Sequence, residues 1–177
     1  NLGINVVQGY GLTECAPILA VNRDVFYKNA SAGMILPGVD VKIVDVDENG
    51  NGERIGKGDN IMLGYYENEQ ATSEAIIDGY FHTGDIGYID EDKFVFITGR
   101  KKNVIITKNG KNIFPEEIET LVMRQPYVKE VLVFGKEDDD GETIVNASVF
   151  PDYDLLKEEI GSEYSESKVR EIIGQQI

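Results

Sequence analysis

Residues 39–46 (VDVKIVDV) alternate apolar and polar side chains at period two, the pattern of a half-buried strand. The ENGNGE that follows carries Asn-Gly steps and reads as a hairpin turn. Upstream, residues 4–7 and 18–21 are short apolar runs among Gly and Pro, which predicts strand and loop over residues 1–39. Residues 67–77 (ENEQATSEAII) hold helix formers and few breakers, so a short helix is expected there. Residues 86–89 and 94–97 read as two strands around the acidic turn Asp90-Glu91-Asp92, and residues 104–107 and 112–114 flank a second hairpin signal, Asn109-Gly110.

Pro115 then opens a helix to about Gln125. Its missing N–H costs nothing in the first turn, Glu116 and Glu117 complement the helix dipole, and Ile118, Leu121 and Val122 share one face. Residues 128–134 and 143–150 predict strands around the acidic turn EDDDGE, and residues 154–160 and 165–177 predict helices. The most plausible break lies between residues 97 and 102, where Gly99 sits between two sheet-like blocks.

Charge sharpens this picture. The 177 residues hold 17 basic and 32 acidic side chains, a formal charge of −15. Such acidity argues against general binding to nucleic acid or anionic membrane, since phosphate backbones attract Lys and Arg. Yet residues 98–111 (TGRKKNVIITKNGK) carry Arg100, Lys101, Lys102, Lys108 and Lys111 and no acid. This island is either a solvated hairpin bearing lysines or a local site for a small anion. No apolar run approaches the ~18 residues needed to span a bilayer. One cysteine, Cys15, cannot form an internal disulfide. The opening at Asn1, without Met or leader, reads as a piece of a longer, non-secreted protein.

Several motifs fail on their own chemistry. The DVDENG of residues 45–50 opens like a calcium loop, but its twelfth position is Gly56 rather than a bidentate acid. GERIGKG, residues 52–58, is one residue short of a phosphate loop and has Gly58 where Ser or Thr is required. His82 and Cys15, the only residues of their kinds, cannot build a four-ligand zinc site. The two Asn-Ala-Ser triplets, at Asn29 and Asn146, matter only on a secretory route.

Three stretches suit a nucleotide. In QGYGLTE, Gly9 and Gly11 let the backbone approach a ligand, Tyr10 offers a flat face, Thr13 a hydroxyl for phosphate and Glu14 a hard oxygen for Mg²⁺. In DGYFHTGDIG, Asp85 stands where a strand begins and can accept from a ribose diol. In TGRKKNVIITKNGKNIFPEEIE, Arg100 could present its planar fork to phosphate or ribose oxygens.

Taken in this order and spacing, with PGVDVKIVD, GDNIMLGYYENEQATSEAI and FVFITGRKKNVI between them, the stretches resemble the adenylate-forming superfamily: acyl- and aryl-CoA synthetases, luciferases and peptide-synthetase adenylation domains. The likeness runs over roughly residues 7–150, and the wording of TGRKKNVIITKNGKNIFPEEIE looks most like long-chain fatty-acid–CoA ligases.

The resemblance implies two half-reactions. A carboxylate attacks the α-phosphate of ATP and releases pyrophosphate; the thiol of CoA then displaces AMP to give a thioester. It implies that Tyr10 stacks on adenine and that Gly11 lets the backbone pass close to the nucleotide. Thr13 would bind phosphate, Glu14 the Mg²⁺, and Asp85 the ribose hydroxyls with help from Arg100. Lys102 would be the hinge about which a small C-terminal domain turns, and Gly110 would lie in the loop that serves the thioester step. The implied fold is a β-barrel-like block to residue 97, the end of a large adenylation domain, followed by a small α+β lid domain from residue 98. Two departures follow: the Ser/Thr/Gly-rich phosphate loop and the catalytic lysine of such enzymes fall outside the 177 residues, so the piece is expected to be inactive alone. The expected partners are a carboxylic acid, ATP and CoA, in the cytoplasm, with peripheral membrane contact left open for a long fatty acid. Two other readings stay open: an enzyme that loads a carrier protein instead of CoA, and a non-catalytic nucleotide-binding domain.

Overall fold

The structure, a computed structural model, describes residues 6–138, 140–161 and 165–174. It divides into two compact units, Asn1–Lys102 and Asn103–Ile177.

The first unit is built on one antiparallel sheet. Strands β1 (Gly9–Gly11), β2 (Ile18–Val21) and β3 (Gly33–Ile35) come from the region read as strand and loop, and a single 3-10 turn, Thr13–Cys15, joins the first two. The alternating stretch forms β4 (Val39–Val44), and its turn leads back through β5 (Gly52–Gly58). That turn closes on Asp47, whose carboxylate accepts the amides of Asn49 and Asn51, both at 2.9 Å, an Asx turn of the kind such residues favour. The helix α1 (Glu69–Ala75) is shorter than the predicted span because Asn68 caps its start and the chain turns extended at Ile76. After β6 (Ile76–Ile77) come β7 (Tyr80–Ile89) and β8 (Phe94–Arg100).

The strand order is β1-β2-β3-β8-β7-β5-β4, with β6 beside β7. The sheet is therefore an open path ending at β1 and β4, not a closed barrel, and the α+β class holds. β8 runs through Gly99 to Arg100, so the chain stays in the sheet across the glycine expected to separate two blocks. Leu19, Ala20, Phe81 and Val95 pack with Tyr10 and Cys15 into the core of this unit.

The second unit begins with the small hairpin β9 (Ile105–Ile106) and β10 (Asn112–Ile113). Pro115 opens α2 (Pro115–Val122) as expected. Glu119 of α2 accepts the Val133 amide at 2.8 Å. That bond ties the helix to β11 (Val128–Glu137), which pairs antiparallel with β12 (Thr143–Pro151). Asp152 caps α3 (Tyr153–Ile160) by accepting the amides of Asp154 and Leu155. Leu156 packs with Val169 and Ile173 of α4 (Glu166–Gly174). The predicted runs at 4–5 and 175–177 lie outside the described residues.

Candidate functional site

The first unit gathers its polar side chains around one carboxylate. Asp85 lies in β7, opposite Arg100 of β8 in the pairing register. Its Oδ1 accepts Arg100 Nε at 2.8 Å, and its Oδ2 accepts the Tyr10 hydroxyl at 2.7 Å. All three sequence stretches that suit a nucleotide therefore contribute to one junction. The Asp85 amide donates to Thr83 Oγ1 at 3.1 Å, and Thr83 Oγ1 donates to the Arg54 carbonyl at 2.8 Å, so the turn carrying Asp85 is pinned to β5.

Tyr10 is buried, at 8% exposure. One face of its ring lies over the Arg54 guanidinium, 4.4 Å from the ring centroid, within cation–π range. Burial pushes its phenol well above the ordinary value, although the nearby Arg54 charge works the other way. The hydroxyl therefore serves as a donor to Asp85 rather than as an acid.

Gly11 ends β1 at a register shift against β2. A Cβ there would stand 1.7 Å from the Pro17 carbonyl oxygen, so only glycine allows the two strands this approach. Thr13 is exposed at the start of the 3-10 turn. Glu14, half-buried beside it, accepts the Tyr65 hydroxyl at Oε1, 3.1 Å, and its carbonyl takes the Met62 amide at 2.8 Å. Cys15 anchors the turn in the same core cluster as Tyr10. Its thiol is pushed up to about 11 by burial, with the Glu14 charge adding to the effect. Thr13 and Lys102 take no part in the hydrogen bonds around Asp85 among the described residues; Lys102 is exposed and is the last residue of the first unit.

A second cluster backs the first. Glu53, buried on β5, accepts Lys101 Nζ at 2.7 Å and faces His82 Nδ1 at 3.3 Å through Oε2, while its Oε1 accepts the Gly84 amide at 3.1 Å. Burial alone would raise the Glu53 carboxyl, but the hydrogen bonds from Lys101, His82 and Gly84 outweigh it and hold the group below the usual carboxylate range. Lys101 also reaches Asp45 at 3.2 Å, and its amide donates to the Gly84 carbonyl at 2.8 Å. The cationic island is thus distributed over carboxylates: Arg100 on Asp85, Lys101 on Glu53 and Asp45, and, in the second unit, Lys108 on Glu142.

Sequence reasoning missed Glu53 and Arg54, which are among the most buried polar residues of the chain. By its residues GERIGKG reads only as a failed phosphate loop. The available signal was an adjacent opposite-charge pair inside a strand-length run between two glycines, followed by Ile55. The pair is buried here because β5 lies inside the sheet and other side chains cover it, Lys101 and His82 on Glu53 and the Tyr10 ring on Arg54.

The comparisons bear on this arrangement. Residues 1–66 match the family model described as AMP-binding enzyme, and residues 102–167 match the AMP-binding enzyme C-terminal domain. A long-chain-fatty-acid–CoA ligase of Salmonella typhimurium is 45% identical over 139 residues, 75% of this chain and 25% of its own length. A probable 4-coumarate–CoA ligase 2 of Dictyostelium discoideum is 44% identical over 142 residues, 76% of this chain and 26% of its own. Among solved structures, o-succinylbenzoate CoA synthetase of Bacillus subtilis, in complex with the acyl-adenylate intermediate OSB-AMP, aligns with a TM-score of 0.77 at 28% identity. The alignment covers 99% of this chain and 35% of that one. The same enzyme with ATP and magnesium ion gives a TM-score of 0.74. The chain spans about a quarter of the length of the curated relatives it matches.

Proposed function

The chain belongs to the AMP-binding enzyme family, and from that premise we propose that it supplies part of the nucleotide site and the adjoining C-terminal domain of an ATP-dependent, AMP-forming acyl-CoA synthetase acting on a fatty acid. The observation that carries this reading is the convergence of Tyr10 and Arg100 on Asp85, from positions 75 and 15 residues away.

Asp85 is the ribose acceptor in this reading. An ionised carboxylate has about four lone-pair sites, and the two hydrogen bonds made here occupy two of them. The remaining sites suit a vicinal diol. Arg100, with its side chain 59% exposed, stands beside Asp85 with a planar guanidinium of the kind that suits sugar or phosphate oxygens. Tyr10 holds Asp85 in place through its hydroxyl, and with one ring face covered by Arg54 the base is left the opposite face of this largely buried ring; Gly11 keeps the backbone beside it free of a side chain. Thr13, exposed on its turn, presents a hydroxyl to phosphate.

Glu14 is the magnesium ligand of this proposal. Its hard, half-buried carboxylate is steadied by Tyr65, and Mg²⁺ ordinarily takes one or two carboxylates from a protein and fills its shell with phosphate oxygens and water. Magnesium would supply charge neutralisation at the phosphates, where most of the catalysis of phosphoryl and nucleotidyl transfer resides. The chain's residues orient the nucleotide so that the substrate carboxylate meets the α-phosphate in line and pyrophosphate departs. CoA thiol then displaces AMP. Lys102, where the compact units part, is proposed as the hinge between these steps, and Gly110, at φ +73° in the β9–β10 turn, as part of the loop serving the thioester step.

The 177 residues alone are proposed not to turn over, since the curated relatives are about three times as long. The setting that supplies ATP and CoA is the cytoplasm, and among the described residues no helix is long and apolar enough to cross a membrane. The test is a calorimetric AMP titration of the whole protein with Asp85→Ala, together with ATP–pyrophosphate exchange on a panel of fatty acids and 4-coumarate. Loss of one charge-assisted hydrogen-bond pair, about 1.5–3 kcal/mol, weakens AMP by roughly 10–100-fold. Unchanged AMP affinity in D85A rejects the ribose assignment, and exchange with 4-coumarate but no fatty acid rejects the substrate class.

A further inference from the structure

Arg54 has no part in the three stretches that suit a nucleotide, yet it is the most deeply placed cation at the site. Its side chain is 0% exposed. Of its five N–H donors, those on Nη1 reach only the Phe96 carbonyl, at 3.4 Å, while Nε and Nη2 find no hydrogen-bond partner among the described residues. Burial disfavours its charged form and draws its proton affinity down. A buried guanidinium persists only where something compensates it.

Two groups do so. The Tyr10 ring covers it at 4.4 Å, and Asp85 Oδ2 lies 4.0 Å from Nη2. The backbone is arranged to admit it. The β5–β7 register shifts between Glu53 and Ile55, a bulge that re-aims the intervening side chain. Across from it, Gly87 leaves the necessary space: a Cβ there would stand 1.9 Å from the Phe96 carbonyl oxygen and 3.2 Å from Arg54 Nη1.

We propose that Arg54 is a positioning residue for the nucleotide, holding Asp85 and Tyr10 at the angle in which the carboxylate meets the ribose diol. This rests on the reading of Asp85 as the ribose acceptor. Arg100 is more than half exposed, so solvent and salt screen its pull on Asp85. Arg54 is enclosed on a sheet strand, so its field at Asp85 is less screened and fixed in direction. Its Nη2 donor lies only a small displacement from Oδ2, the atom that now takes the Tyr10 hydroxyl. When that hydroxyl shifts as a nucleotide enters, Arg54 takes over the contact and Asp85 keeps its orientation.

The experiment compares AMP with 2′,3′-dideoxy-AMP on the whole protein, as wild type, D85N, R54M and R54K. Wild type is expected to favour AMP by about 10–100-fold, the worth of the diol's contacts to a charged acceptor. D85N brings that ratio near one. R54M narrows it by about tenfold, and R54K by about threefold, because lysine restores charge without the planar fork. If both nucleotides weaken together in R54M and the ratio stands, Arg54 is only structural and the proposal fails. If D85N leaves the ratio unchanged, the ribose reading fails and takes the Arg54 role with it. Should R54M not fold, the R54K ratio decides: a wild-type value overturns the proposal.

Discussion

The Tyr10 hydroxyl donates to Asp85 at 2.7 Å across 75 positions of sequence, and beneath the same ring lies the Arg54 guanidinium. One tyrosine therefore holds an anion at its edge and a cation on its face. The two contacts can be separated by substitution. Tyr10→Phe removes only the edge donor and is expected to cost about 0.5–1.5 kcal/mol. Tyr10→Ala also removes the buried ring and uncovers Arg54, and is expected to cost about 3–5 kcal/mol. Urea unfolding followed by far-UV circular dichroism checks both; equal losses in the two variants would contradict this division.

The Glu53 cluster makes stability depend on acid. The folded carboxyl titrates below its unfolded value of about 4.3. Its contribution is therefore complete above roughly pH 5 and is lost as pH falls through the folded value. Lys101 is shifted the other way, upward, chiefly by its hydrogen bond to Glu53, so its share is lost only in strong alkali. Melting temperature should fall steeply below about pH 4.5 in the wild type. Glu53→Gln should lower the plateau by about 1–3 kcal/mol and flatten that acid limb. An acid limb of unchanged slope in E53Q would assign the loss to other carboxylates.

Much of this architecture could be read from residue order, and its failures have a common cause. Pro115 with Glu116 and Glu117 announced α2, and ENGNGE announced the β4–β5 turn, because both are local signals whose energetics lie within a few residues. β7 was expected only over residues 86–89 but starts at Tyr80. Its first half, YFHTGD, is held by β5 on one side, and by β8 on the other from Asp85 onward, so tertiary pairing overrides Gly84, which argues against a strand. Asp85, Tyr10 and Arg100 were singled out from their local chemistry. That they meet follows from sheet order, which no local pattern encodes. Arg54 and Glu53 escaped for the same reason: adjacent opposite charges normally mark a wet surface, and only the neighbouring strands bury them.

Gly11→Ala should disrupt the first unit locally. The added Cβ would meet the Pro17 carbonyl at 1.7 Å, which backbone on either side must move to relieve. The cost is expected to exceed about 2 kcal/mol, with amide exchange accelerated first in β1 and β2. Protection in these strands equal to the wild type would show that the approach of Gly11 to Pro17 is not needed.

Cys15 is fully enclosed and its thiol is pushed up to about 11, chiefly by burial. Thiolate is the reactive form, so at pH 8 the native protein should react with a disulfide reagent far more slowly than an ordinary exposed cysteine. Denaturant should restore the ordinary rate. Fast stoichiometric labelling of the folded chain at pH 8 would place Cys15 outside the core described here.

Glu14 and Tyr65 link the proposed metal ligand to a part of the chain 51 positions away, through a hydrogen bond of 3.1 Å. Tyr65 is partly exposed, so its hydroxyl contributes little to folding, and its phenol is raised by burial and by the neighbouring Glu14. What it does is limit the rotamers of Glu14, leaving the carboxylate turned one way before a cation arrives. Tyr65→Phe keeps the ring and removes that restraint. The expected result in the whole protein is an unchanged melting temperature, within about 2 °C, and a magnesium requirement raised roughly fivefold, equivalent to about 1 kcal/mol. Manganese binding followed by water-proton relaxation gives a second readout that needs no turnover. A magnesium requirement and a manganese affinity both equal to wild type would mean that Tyr65 only covers Glu14 and does not aim it.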